Sequence, residues 1–221
     1  MEARGGAVIQ GNTIGSATIA SSINSISAAS GGPQTMIGIM SDASGVTQIS
    51  GNTIANLTNG NTCTDPTMNG RICGIVINDG TNTITGNTVR DLTIANANNN
   101  ADQATSVTGI NQLSSVAGQV ISDNTIYNLS NTFSPFYGSV TGIYYKGGLD
   151  GTNRVSENFI HSLSADASST DANLYGIKIE SGATTYANNI ISLGGNNSTN
   201  LTGIYEFGEA DNNNSLYFNT Y

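Results

Sequence analysis

Few residues in this 221-residue chain have the types and spacing that chemistry requires. Asp123 and Glu157 each stand immediately before an Asn in two copies of one phrase, "ISDNTIYNLS" and "VSENFIHSLS". Two carboxylates held close together drive one pKa upward and can act as acid and base. Glycoside hydrolysis, however, needs them about 5 Å or more apart across a bond, in a shaped cleft. This pair falls on a tight bend without aromatic neighbours in sequence, so exposed acids are expected. His161, the only histidine, has no evident carboxylate partner or nucleophile and is expected to be a surface residue. Cys63 and Cys73 bracket "CTDPTMNGRIC", which reads as a disulfide staple on a surface loop and hence an oxidising compartment. The alternatives are two free thiols or zinc, which wants four ligands.

A second group is assembled only if the chain coils. Tyr144, Lys178 and Tyr205 each lie two residues after the Gly of a recurring Gly-Ile pair, while Lys146 and Glu180 lie four after it. Stacked, these five residues mix aromatic rings with charge, the composition of a sugar-binding face. The competing reading is a solvated strand face with a Lys146–Glu180 pair worth under about 1 kcal/mol.

The elements that position these residues come from a repeat. "ISGNTIANLT" at 49–58 returns as "ITGNTVRDLT" at 84–93 and then as the two phrases above. Its marker Asn recurs as Asn12, Asn52, Asn87, Asn124, Asn158, Asn188 and Asn214, and the Gly-Ile pair as Gly38, Gly74, Gly109, Gly142, Gly176 and Gly203. Two interleaved markers with a period of 26–40 residues indicate one supersecondary unit per repeat. Apolar residues fall two and five after the Asn, as in Ile54 with Leu57 and Ile126 with Leu129. On a flat strand, positions three apart face opposite sides, so the chain must bend between them. The bend is expected at Asn56, Asp91, Asn128, Ser162 and Ser192, with a second bend at the marker Asn itself. Short strands separated by bends describe parallel strands stacked about 4.8 Å apart, with an Ile column filling the core and an Asn column bonding amide to amide. A single Thr follows most markers, too sparse an array for ice binding.

Composition agrees with an all-β chain forming one domain over 1–221 and excludes several partners. Only 10% of residues are charged, Trp is absent and Pro numbers 3, while Ile, Val and Leu recur within polar text. A net charge of -9 speaks against nucleic acid and anionic membrane surfaces, and no apolar run of about 18 residues predicts membrane insertion. "MEARGGAVIQ" lacks the pattern of a signal peptide, so any export signal is expected to lie outside this sequence.

The "GNTI.NL" consensus and its Asn column resemble the asparagine ladder of the right-handed parallel β-helix in the pectin-lyase-like superfamily. The resemblance covers residues 8–219 and implies a β-solenoid of six to seven coils. It does not extend to that family's catalytic sets. "GIKIE" at 176–180 has no Arg before the Ile, and neither a paired Asp motif nor a Gly-His-Gly occurs. No catalytic residue, metal set or cofactor is therefore expected. The ends, "AVIQGNTI" and "NSLYFNTY", show no capping segment, which points to a fragment of a longer solenoid or to self-association through open coil ends. The expected protein is a secreted, non-enzymatic structural solenoid, forming an extracellular filament or part of a surface adhesin. The competing class is a polysaccharide-binding or polysaccharide-cleaving module.

Overall fold

The alternation of apolar and polar residues around each Gly-Ile pair, and the apolar pairs of each phrase, fold as short strands that pair only with their copies one repeat away. In the computed structural model, which describes residues 2–3, 5–25, 32–194, 199–207 and 212–221, these strands form three seven-stranded parallel sheets and no helix among the described residues. The result is a parallel β-solenoid of about five turns rather than six to seven coils, because the rungs at both ends are partial. One sheet carries the Gly-Ile strands, from Thr35–Ser41 through Arg71–Ile77, Val107–Gln112, Ser139–Lys146 and Asn173–Ser181 to Asn200–Glu206. A second carries the phrase strands Thr53–Asn59, Thr88–Ile94, Thr125–Asn131 and Phe159–Ala165, and the third the short strands that precede each marker Asn, such as Thr81–Thr85 and Asn153–Ser156.

Register stacks like on like. Ile75, Ile110, Ile143 and Ile177 form one buried column, and Leu57, Leu92, Leu129 and Leu163 another. The bend inside the phrase lies at Asn56, Asp91, Asn128 and Ser162, whose φ values of 59°, 52°, 53° and 55° place them in the left-handed region that Asn and Asp enter most easily. Ser192 does not have a positive φ. The second bend differs from expectation by one residue. The left-handed positions are Gly11, Gly51, Gly86, Asp123, Glu157, Asn188 and Phe218, each preceding the residue whose amide enters the ladder. That leaves the ladder residue free to turn its side chain inward.

The Gly-Ile marker has a steric origin. A Cβ at Gly142 would stand 2.6 Å from the Gly176 carbonyl oxygen of the next turn and 2.6 Å from Ile160 Cγ2 of the phrase sheet. Gly109 is equally confined, 2.5 Å from the Gly142 oxygen. The glycine lets a core isoleucine touch the backbone across the coil. Gly142→Ala should lower unfolding stability by about 1–3 kcal/mol, the usual range for an overpacked core, measured by urea denaturation against the parent chain.

The disulfide is not present. Cys63 and Cys73 are free and buried. Cys73 is held in sheet register between Ile37 and Thr108, while Cys63 is fixed in a loop by its carbonyl, which accepts from Ala97 N–H at 2.9 Å. The two serve as small packing groups. Burial raises the Cys73 thiol to about 11, which leaves little thiolate for oxidation. With no bridge, the cysteines give no support for an oxidising compartment.

Candidate functional site

The outer face of the Gly-Ile sheet brings Asn111, Tyr144, Lys178 and Tyr205 into one column, one residue per turn. Lys178 is the centre of this cluster. Its Nζ lies 5.8 Å from the Tyr144 ring centroid, 5.6 Å from Tyr175 and 5.7 Å from Tyr205, a cation–π box with three walls. The ammonium also donates to the Ala101 carbonyl, a residue 77 positions away in sequence. That carbonyl belongs to the 95–106 loop, which crosses the sheet and is pinned at further points. Arg71 Nη1 and Asn111 Nδ2 both donate to Gln103 O, at 2.8 and 2.9 Å, and Asn98 Nδ2 donates to Ala104 O at 2.9 Å.

Under this loop Tyr144 is 2% exposed and Lys178 7% exposed, so the centre of the expected sugar-binding face is occupied by the protein itself. Tyr175 and Tyr205 remain partly exposed, their rings 5.2 Å apart. Burial, then the Glu180 and Asp102 carboxylates, holds the Tyr144 phenol well above its ordinary range, and burial pulls the Lys178 ammonium down against the opposing pull of the same two carboxylates. A phenol that resists ionisation cannot act as a base, and a lysine bonded to a loop carbonyl is positioned as a latch. The Lys146–Glu180 pair does not form. A bulge in the Asn173–Ser181 strand sets Lys146 opposite Ser181, leaving Lys146 exposed while Glu180 faces the Tyr144 hydroxyl.

The other candidates lie elsewhere on the coil. Asp123 and Glu157 stand one turn apart at the same exposed left-handed turn position, and among the described residues the Glu157 carboxylate pairs with exposed Arg154 at 3.3 Å. His161 stacks on Tyr127 with ring centroids 4.8 Å apart and planes 7° from parallel, and its Nδ1 lies 2.9 Å from Ser162 Oγ. Its neighbour on the next strand is Ser192, one residue beyond the Ile191 that the repeat predicts.

The Asn ladder runs through Asn12, Asn52, Asn87, Asn124, Asn158, Asn189 and Asn219. At each step the backbone N–H and the side-chain Nδ2 of one residue both donate to Oδ1 of the next, at 2.9–3.1 Å. Asn188 and Asn214 are not members. Asn188 is the exposed left-handed residue before Asn189, and Asn214 caps another turn by accepting from Thr184 N–H at 3.0 Å. That other turn holds a second amide stack not foreseen from sequence. Asn82 N–H and Nδ2 donate to Gln119 Oε1, both at 3.1 Å, and Gln119 N–H donates to Asn153 Oδ1 at 3.1 Å. Its signal is an amide or threonine at the same point of each short strand, Thr47, Asn82, Gln119, Asn153 and Thr184, which the more uniform phrase obscures. Compared with protein families, with curated proteins and with solved structures, the chain matches none.

Proposed function

We propose that the protein is a non-enzymatic structural solenoid that stacks head to tail on other copies, as an extracellular filament or part of a surface adhesin. The observation that carries this reading is the polarity of the ladder combined with the last rung of the fold. Each ladder Asn donates toward the following turn, so Asn12 Oδ1 at one end has no donor, and Asn219 N–H at the other has no acceptor, among the described residues. The two ends are chemically complementary. Core columns also surface at the second end: Leu174 is 0% exposed but Leu201, its neighbour in register, is 44% exposed, and Tyr186 at 0% is followed by Leu216 at 43%. Ile191, Leu193, Leu201 and Tyr221 surround a hollow of about 210 Å³ there. Unpaired strand edges and exposed core side chains favour one more parallel rung, from further coils of a longer solenoid or from a second copy, whose heterologous contact does not close.

Light scattering and analytical ultracentrifugation of the 221-residue chain should show mass growing with concentration, and negative stain should show rods. Leu201→Lys should keep the melting temperature and abolish growth. A parent chain that stays monomeric at millimolar concentration overturns the reading. A second reading, a polysaccharide-binding or polysaccharide-cleaving β-helix module of the pectin-lyase-like type, is favoured by the partly exposed Tyr175–Tyr205 pair. Binding on a glycan array that Tyr205→Ala abolishes would support it.

A further inference from the structure

The phrase sheet is creased along its length. Its left-handed residues bend each strand at the same place, and a trough of about 390 Å³ runs along the stacked bends, parallel to the solenoid axis. One wall is the crease column Asn56, Asp91, Asn128 and Ser162. The other is the column two residues on, Thr58, Thr93, Ser130 and Ser164. Ala20 and Ser21 close the end nearest the first turn, where Ser21 Oγ lies 2.8 Å from Thr58 Oγ1.

Along one rim runs a stacked row contributed by the residues just before the crease. The Arg90 guanidinium lies 5.9 Å from the Tyr127 centroid, Tyr127 stacks on His161, and His161 meets Phe159 at 4.5 Å. The contact of His161 Nδ1 with Ser162 Oγ ties this rail to the trough wall.

We propose that the trough binds an extended, uncharged polysaccharide lying along the solenoid axis. The inference does not depend on the stacking of copies. Its walls offer hydroxyls and amides repeating every ~4.8 Å, the spacing of parallel strands and close to the length of one sugar unit. Thr93 and Ser130 hydroxyls share one bond at 3.2 Å and the Ser164 hydroxyl bonds no other described residue, so donors and acceptors remain for a hydroxylated ligand. The single carboxylate, Asp91, is already engaged by Arg90 and by Asn128 Nδ2 at 3.0 Å, which removes it as a cation ligand. The net charge of -9 disfavours acidic polymers. An extended peptide would need a free strand edge, and here the sheet is paired on both sides. Aromatic rims beside polar walls are the composition that holds sugar faces and hydroxyls together.

The test is affinity electrophoresis in gels containing xylan, galactomannan, hydroxyethylcellulose or polygalacturonate. At least one neutral polymer should retard the parent chain, and polygalacturonate should not. Tyr127→Ala, which removes the rail, and Ser130→Arg, which fills the trough, should each weaken retardation tenfold or more in chains shown to be folded by thermal melting. Val46→Thr, an exposed position on the third sheet, should leave it unchanged. The proposal is overturned if no neutral polymer retards the chain, if polygalacturonate binds best, or if the folded trough variants bind as the parent does.

Discussion

Asn124→Ala should remove about 3–4 kcal/mol of unfolding free energy, a large share of what a domain normally holds. The residue is 1% exposed, and its Oδ1 accepts from both Asn87 N–H and Asn87 Nδ2. Its Nδ2 donates to the Ile84 and Ser122 carbonyls and to Asn158 Oδ1, each at 2.9 Å. Truncation leaves the Asn87 N–H buried without an acceptor and strips one donor each from the Ile84 and Ser122 carbonyls. An orphaned buried polar group costs about 1–3 kcal/mol, and the further lost bonds, at about 1 kcal/mol each, outweigh any gain in side-chain entropy. A sharper comparison lies one turn from the end, where two asparagines adjoin. Asn189→Ala should destabilise strongly, because Asn189 passes the ladder from Asn158 to Asn219. Asn188→Gly should be nearly neutral, since Asn188 is exposed and its φ of 55° suits glycine. Urea denaturation of the three variants decides. Equal effects at 188 and 189 would refute the ladder assignment.

That pair also shows where the sequence stops being legible. The period, the inward isoleucines and the bends at Asn56, Asp91, Asn128 and Ser162 follow from spacing alone, because a three-residue apolar interval has one geometric solution in a stacked strand. The last copies lose the register for a simple reason. "ENFIHSL" becomes "NNIISL", one residue shorter, and the crease residue is the one deleted, so Ser192 takes the place of His161 and has no positive φ. Counting back from Leu193 selects Asn188, whereas counting back from Ile191 selects Asn189, and burial of Ile191 at 2% against Ile190 at 50% settles it. The cover over Tyr144 and Lys178 left no such signal. It depends on a loop meeting a strand two repeats away, and loop length carries no register. The same holds for the cysteines, whose spacing fits a staple but whose backbones belong to a strand and a loop with separate anchors.

Alkaline pH should unfold the protein well before the ordinary behaviour of exposed tyrosine would suggest. Burial raises Tyr145 to about 12 from 10.0 and Tyr186 well above 10.0, and raises Cys73 to about 11 from 9.0. Tyr145 and Tyr186 meet edge to face with centroids 5.9 Å apart inside the coil, so neither ring can ionise without placing a charge against the other. For each group the folded chain keeps a proton that the unfolded chain has released. Stability is therefore fully present below the unfolded value and falls as pH rises towards the folded one. The loss begins near pH 9 with Cys73 and steepens above pH 10 as the two tyrosines join. Each group contributes at most about 1.4 kcal/mol per pH unit inside its window, so the decline is steepest between pH 10 and 11, where the windows overlap. Lys178 acts in the opposite sense, because its folded value is lowered and its burial penalty disappears as it deprotonates towards 10.5. Being partly screened and alone, it softens the decline without reversing it. Chemical denaturation at half-unit steps from pH 7 to 11.5 should show a plateau followed by this fall, and Tyr145→Phe with Tyr186→Phe, which keep both rings, should move the fall to higher pH. A flat profile to pH 11, or an unshifted one in the double variant, would mean that these hydroxyls are not what the core keeps protonated.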